Sequence, residues 1–212
     1  LRGVVVRVAP ACVVTLPILV FGCSDRRDGE GVRPVPSAVV FGRAGNIDGR
    51  FDYPRAIGLD AERGRIYVVD KTARVQRFDL EGVFERSWAM PRSENGKPTG
   101  VTIDGDGRVV VADTHEHRIA IFSPDGELLE TFGEYGEGPG QFIYPTDVAI
   151  AADGTWFVSE YGGNDRVQLF DSDRRPVGSI GFMGHDDEGD SPGLLRPQSI
   201  AWDDEAGELY IA

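Results

Sequence analysis

The chain has 212 residues, with 35 acidic against 22 basic side chains and a formal charge of −13. That balance opposes a nucleic-acid partner, because phosphate backbones are bound by clustered Lys and Arg. Two cysteines, Cys12 and Cys23, are too few for a disulfide framework or a cysteine metal site.

The N-terminus has its own composition. Arg2 and Arg7 flank a short basic region, and Val8 to Phe21 is largely apolar. The run is too short for a membrane span and suits a secretory leader. Leu19-Val20-Phe21-Gly22-Cys23-Ser24 resembles the lipobox of bacterial lipoproteins, which implies cleavage before Cys23 and lipid on its sulfur. The alternative is an ordinary signal peptide or membrane anchor in which Cys23 is incidental. The expected division is a lipoprotein-type signal peptide over 1–22, a polar tether over 23–40 carrying Pro34 and Pro36, and a folded domain over 41–212. The expected location is the periplasm or cell surface, with the membrane reached through the lipid anchor only.

From there one unit recurs almost four times. Pro54, Pro98, Pro145 and Pro197 each open a short apolar stretch. Gly64, Gly107, Gly154 and Gly207 close the turn that follows, and a second apolar run starts there, as in Ile66-Tyr67-Val68-Val69. In three copies an acid ends that run (Asp70, Asp113, Glu160), followed by Arg-(Val/Ile)-x-x-Phe. The prolines recur at intervals of about 44 to 52 residues, the period of a repeat architecture. Runs rich in Val, Ile, Tyr and Phe between Gly, Asp and Pro turns predict short strands. An apolar run without alternation predicts a strand covered on both faces. The blades of a β-propeller have that environment.

The string Phe132-Gly133, Gly136, Gly138-Pro139-Gly140-Gln141-Phe142, Pro145 resembles the NHL repeat, as does Val111-Ala112-Asp113-Thr114-His115-Glu116-His117-Arg118-Ile119. Two departures stand out: Asn95 falls where other copies have Phe51, Phe142 or Leu194, and Ala151 where others have Asp60, Asp104 or Asp203. The resemblance implies an all-β propeller of four-stranded blades, six when complete. Six blades of about 45 residues need about 270 residues. The expectation is therefore an incomplete arc of about 3.5 blades, truncated at its C-terminus.

Asp70, Asp113 and Glu160 suggest a ring of acids, yet their fixed place after a strand suits turn N–H groups and the following Arg. His115 and His117 sit two apart in one turn and are read as turn residues rather than metal ligands. The loop from Phe182 to Gly193 carries His185, Asp186, Asp187, Glu188 and Asp190. It is expected to be simply solvated; calcium is the one cofactor its oxygens suit, and no other cofactor or metal is expected. The segments Pro145–Ala149 and Val158–Arg166 are similar to peptidylglycine amidating lyases, which implies Tyr161 and Arg166 as candidates beside a central metal. No nucleophile–base pair is suggested by spacing, so no catalytic residue is assigned. The residues after each proline, Arg55, Thr99, Thr146 and Gln198, are the candidate channel-mouth binding residues. The resulting expectation is a secreted, lipid-anchored NHL-type propeller acting as an interaction module in the cell envelope, for a protein or small-molecule ligand. The alternative is a metal-dependent propeller enzyme, amidating-lyase-like or lactonase-like.

Overall fold

The structure, a computed structural model, describes residues 4–7, 39–92, 94, 97–183 and 193–212. Cys12, Cys23, most of the expected leader and tether, and the acidic stretch 184–192 lie outside the described residues.

The first strand, β1 (Val4–Arg7), is discussed below with its partner. The repeats then form three sheets of four strands each: β2 (Pro54–Asp60), β3 (Arg65–Asp70), β4 (Arg74–Asp79) and β5 (Phe84–Ala89); β6 (Gly100–Ile103), β7 (Val109–Asp113), β8 (Arg118–Phe122) and β9 (Leu128–Phe132); β10 (Tyr144–Ile150), β11 (Trp156–Tyr161), β12 (Arg166–Phe170) and β13 (Pro176–Ile180). Each is a meander in chain order with antiparallel neighbours. Two residues on each side of a long connection, β14 (Phe182–Met183) and β15 (Gly193–Leu194), pair in parallel. A fourth sheet holds β16 (Ile200–Asp203) and β17 (Glu208–Ile211).

The outer edge of β17 pairs with β1, Val4 opposite Ile211 and Arg7 opposite Glu208. Sequence reasoning placed Val4–Arg7 inside a leader. Its Val-Val-Val run has high strand preference, and β17 offers it the position that third strands occupy in the other sheets.

The sheets stack blade on blade with three cores between them. Tyr67, Val69 and Val75 of the first blade meet Val101, Val109 and Val111 of the second. Val110, Ala112, Ile119 and Ile121 then meet Val148, Trp156 and Val158 of the third. Phe157, Val167 and Ala149 meet Ile200, Leu209 and Ile211. In β7, alternate residues thus serve two different neighbours, which is why the run is apolar throughout. Phe142 and Leu194, from the connections entering blades three and four, are buried in these cores. Phe51 holds the matching position on Phe78, ring centroids 5.4 Å apart.

Local sequence fixes the turns. Asp104 Oδ1 accepts the amides of Asp106 at 3.0 Å and Arg108 at 2.8 Å, closing the β6–β7 turn, and Gly107 supplies the left-handed residue at φ 81°. A bulge falls before the Phe of each Arg-(Val/Ile)-x-x-Phe, at Arg77/Phe78, Ile121/Phe122 and Leu169/Phe170. It aims Phe122 and Phe170 into the cores between blades and Phe78 against Phe41 and Phe51.

Candidate ligand-binding face

Register places Pro54, Asp70, Arg74 and Ala89 in one row across the first blade. One end of each four-stranded blade is therefore built from the entry loop, the turn between its second and third strands, and the residues flanking the repeat proline.

The repeated acids brace this end from inside. Asp70, Asp113 and Glu160 are fully buried and pair with Arg74 at 3.0 Å, Arg118 at 3.0 Å and Arg166 at 2.6 Å. Each arginine also donates to carbonyls of the entry segment: Arg74 to Asn46 and Arg50, Arg118 to Pro91, Arg166 to Gly138 and Gln141. Gln76 and Gln168 repeat the device. Each donates to the carbonyl of Arg50 or Gln141 at 2.7 Å and accepts the amide of Gly49 or Gly140 at 2.9 Å. The acids hold loops to sheets. Desolvation by burial raises Asp113 and Glu160 above the usual carboxylate range, against the pull of Arg118 on one and of the Ile143 amide and Arg166 on the other.

The four residues after the prolines divide into two kinds. Arg55 and Gln198 are exposed. Thr99 and Thr146 join blades. Thr99 Oγ1 lies 2.7 Å from Thr114 Oγ1 and donates to the Thr146 carbonyl of the next blade at 2.8 Å. Thr146, fully buried, lies 2.8 Å from Ser159 Oγ and donates to the Pro197 carbonyl at 2.9 Å. A hydroxyl has one proton to give, so each threonine accepts within its blade and donates across to the next. Arg55 and Thr146 coincide with register shifts after Pro54 and Pro145; a bulge re-aims the side chain at its extra residue.

The residues before the prolines, Tyr53, Lys97, Tyr144 and Arg196, are the ones that line the face. Three are exposed and Tyr144 is half-buried. Lys71 sits 5.0 Å over the Tyr53 ring, and Arg196 sits 4.9 Å over the Tyr161 ring. Tyr144 packs on Tyr161 at 5.3 Å, on His115 at 5.8 Å and on His117 at 5.6 Å. His117 Nδ1 is hydrogen-bonded to the Ile143 carbonyl, and its ring lies 4.9 Å from Tyr135. Tyr53, His117 and Arg196 adopt left-handed φ of 52°, 57° and 50°, a conformation uncommon outside glycine. A cleft of about 590 Å³ opens beside Tyr53, lined by Phe41, Arg43 and Phe51 among others. The signal for this row was present in the sequence one residue upstream of each repeat proline.

Among the described residues no three His, Cys, Asp or Glu side chains lie grouped to hold a metal ion. The lyase candidates part company: Arg166 is committed to Glu160 and loop carbonyls, while Tyr161 belongs to the aromatic row. These described residues do not fit the central metal that the lyase resemblance implies.

Residues 95–122 match the NHL repeat family model. The chain carries an NHL repeat. It is 28% identical over 171 residues to NHL repeat-containing protein 3 of Homo sapiens, covering 77% of this chain and 47% of that protein. It is 35% identical over 79 residues to the probable peptidyl-alpha-hydroxyglycine alpha-amidating lyase pgal-1 of Caenorhabditis elegans, 35% of this chain and 23% of that one. Virginiamycin B lyase from Staphylococcus aureus superposes with a TM-score of 0.54 at 15% identity, over 74% of this chain and 47% of that structure. That likeness is one of fold. The chain spans less than half the length of each of these proteins, and its sheets are propeller blades.

Proposed function

We propose that this NHL-repeat chain is a secreted interaction module, held at the bacterial cell envelope by lipid on Cys23, that takes a protein or small-molecule ligand on the entry-loop end of its blades. The observation that carries the reading is the row of pre-proline side chains. Tyr53, Lys97, Tyr144 and Arg196 come from four successive blades, stand at one end, and belong to none of the cores between blades. Exposed tyrosines and cations on a rigid scaffold are the residue types that anchor partners. The test compares crosslinked partners of the full chain in envelope extracts with those of a Tyr53→Ser, Lys97→Ser, Arg196→Ser variant. Selective loss of the same species, at unchanged melting temperature, supports the reading; equal capture by both proteins rejects it. Anchoring is tested separately: Cys23→Ala should release the protein from membranes, and unchanged retention rejects lipidation.

The likeness to the amidating lyase favours a second reading, a metal-dependent enzyme acting near Tyr161 whose metal these described residues alone would not hold. Incubating the zinc-supplemented chain with a peptidyl-α-hydroxyglycine substrate and measuring peptide amide decides it, since Tyr161→Phe must then abolish turnover.

A further inference from the structure

Five side chains at the entry-loop end stand in single file. The Tyr135 ring lies 4.9 Å from His117, His117 lies 5.6 Å from Tyr144, Tyr144 lies 5.3 Å from Tyr161, and Arg196 covers Tyr161 at 4.9 Å. Among the described residues Tyr135 meets no ring but His117, and Tyr161 none but Tyr144, so the rings form a row and not a cluster. The backbone fixes its members. Tyr144 and Tyr161 are register partners on β10 and β11. Tyr135 bridges to Phe142, and the His117 ring is tied to the Ile143 carbonyl. Buried Asp165 accepts the Gly162 amide at 3.0 Å and the Arg196 amide at 2.7 Å.

The row is rich in donors and poor in acceptors. The hydroxyls of Tyr135, Tyr144 and Tyr161 and the guanidinium of Arg196 make no hydrogen bond with any described residue. The buried carboxylates beside them are taken, Asp165 by its two amides and Glu160 by the Ile143 amide and Arg166. The complementary ligand has apolar rings at regular intervals, carbonyls to accept, and few N–H groups. A proline-rich peptide has all three. Each proline brings a ring and a carbonyl but no amide proton, and the polyproline II backbone makes no hydrogen bonds to itself. Its three-residue turn of about 9 Å is within two steps of the row, and aromatic surfaces dock such segments. Sugar hydroxyls donate as well as accept, and the row offers few acceptors.

We propose that this aromatic row binds a proline-rich segment of a partner protein in the polyproline II conformation, its rings against Tyr135, Tyr144 and Tyr161 and its carbonyls on their hydroxyls. The proposal rests on reading the entry-loop end as the binding face and names the partner's chemistry.

The test titrates the full chain into dye-labelled decaproline, a Gly-Ser decapeptide and a glucose hexasaccharide, and reads fluorescence anisotropy. Decaproline should bind and the other two should not. Tyr144→Phe with Tyr161→Phe keeps the rings and removes the hydroxyls, and should weaken binding about ten-fold at an unchanged melting temperature. Tyr135→Ser removes a ring that is 68% exposed and should weaken binding as well. Equal binding of the Gly-Ser peptide, or unchanged affinity in the Phe pair, overturns the proposal. Binding of the hexasaccharide alone overturns it and assigns the row to a sugar. Absent decaproline binding overturns it too. If partner capture is then still lost in the Tyr53→Ser, Lys97→Ser, Arg196→Ser variant, the face stands as a docking surface; if capture is equal, both readings fall.

Discussion

Asp147 shows how one half-buried carboxylate ties two blades together. Its Oδ2 accepts from Ser199 Oγ and the Ile200 amide, each at 3.0 Å, and Oδ1 accepts the Val148 amide at 3.0 Å. Burial dominates these bonds and raises its pKa above the usual range. A proton is then held more tightly by the folded chain than by the unfolded one. The stabilisation from this group is fully present below the unfolded value of about 3.9 and is lost as pH rises through the folded value. Asp147→Asn fixes the neutral form. In thermal melts between pH 4 and 7, the wild type should lose its advantage over the variant as pH rises, and a constant gap counts against this account. The neighbouring Gly100 shows how close the blades come. A Cβ there would lie 2.5 Å from the Thr146 carbonyl oxygen and 2.8 Å from the Asp147 Cα, both on the next blade's backbone. Gly100→Ala should destabilise by about 1–3 kcal/mol, measured by urea denaturation. The other copies carry Ala56, Asp147 and Ser199 at this position, so the requirement is local and the repeat pattern alone does not announce it.

Strands and turns were legible because each carries its own signal. Continuous apolar runs gave the middle strands, glycines gave the hairpins, and the acid followed by Arg gave the brace under each turn. The face was legible only in part. Regular alternation would send the side chains before and after each proline to the same side, and a bulge breaks that alternation in two blades. No count along the chain says which of the two looks outward: Arg55 and Gln198 after the prolines are exposed, as are Tyr53, Lys97 and Arg196 before them, while Thr99 and Thr146 are taken up by bonds between blades. The glutamines after the arginines were equally silent, because their partners are loop carbonyls and amides far along the chain. Gln76 and Gln168 stand where the second blade has Ala120, and that blade has the short entry loop. The element-level consequence is specific. Gln168→Ala should cost about 1–2 kcal/mol and speed hydrogen exchange at the Gly140 amide, which Gln168 Oε1 accepts at 2.9 Å, while leaving the Gly49 amide of the first blade protected. Exchange that quickens equally at both amides would show that the loops open together and are not held blade by blade.

At the scale of the whole molecule the repeat supplies its own internal control. Ile57, Val101, Val148 and Ile200 occupy one position in four blades. The last three are 5%, 2% and 6% exposed, each against the blade before it; Ile57 is 64% exposed, and Leu59, two residues on, is 60% exposed. The face around Ile57 therefore has the chemistry of a blade interface with solvent against it. At the other end Tyr210 holds the position of Tyr67, Val110 and Phe157, which meet the following blade, and it is 42% exposed where they are buried. Ile57→Lys with Leu59→Glu should change the melting temperature little, because neither side chain is buried. Val148→Ser, at the equivalent position of a covered blade, should lower stability by about 2–3 kcal/mol, measured by urea denaturation. If the surface pair lowers stability as much as Val148→Ser does, the exposed face is packed in the dissolved molecule, and the equivalence drawn from the repeat fails at its first blade.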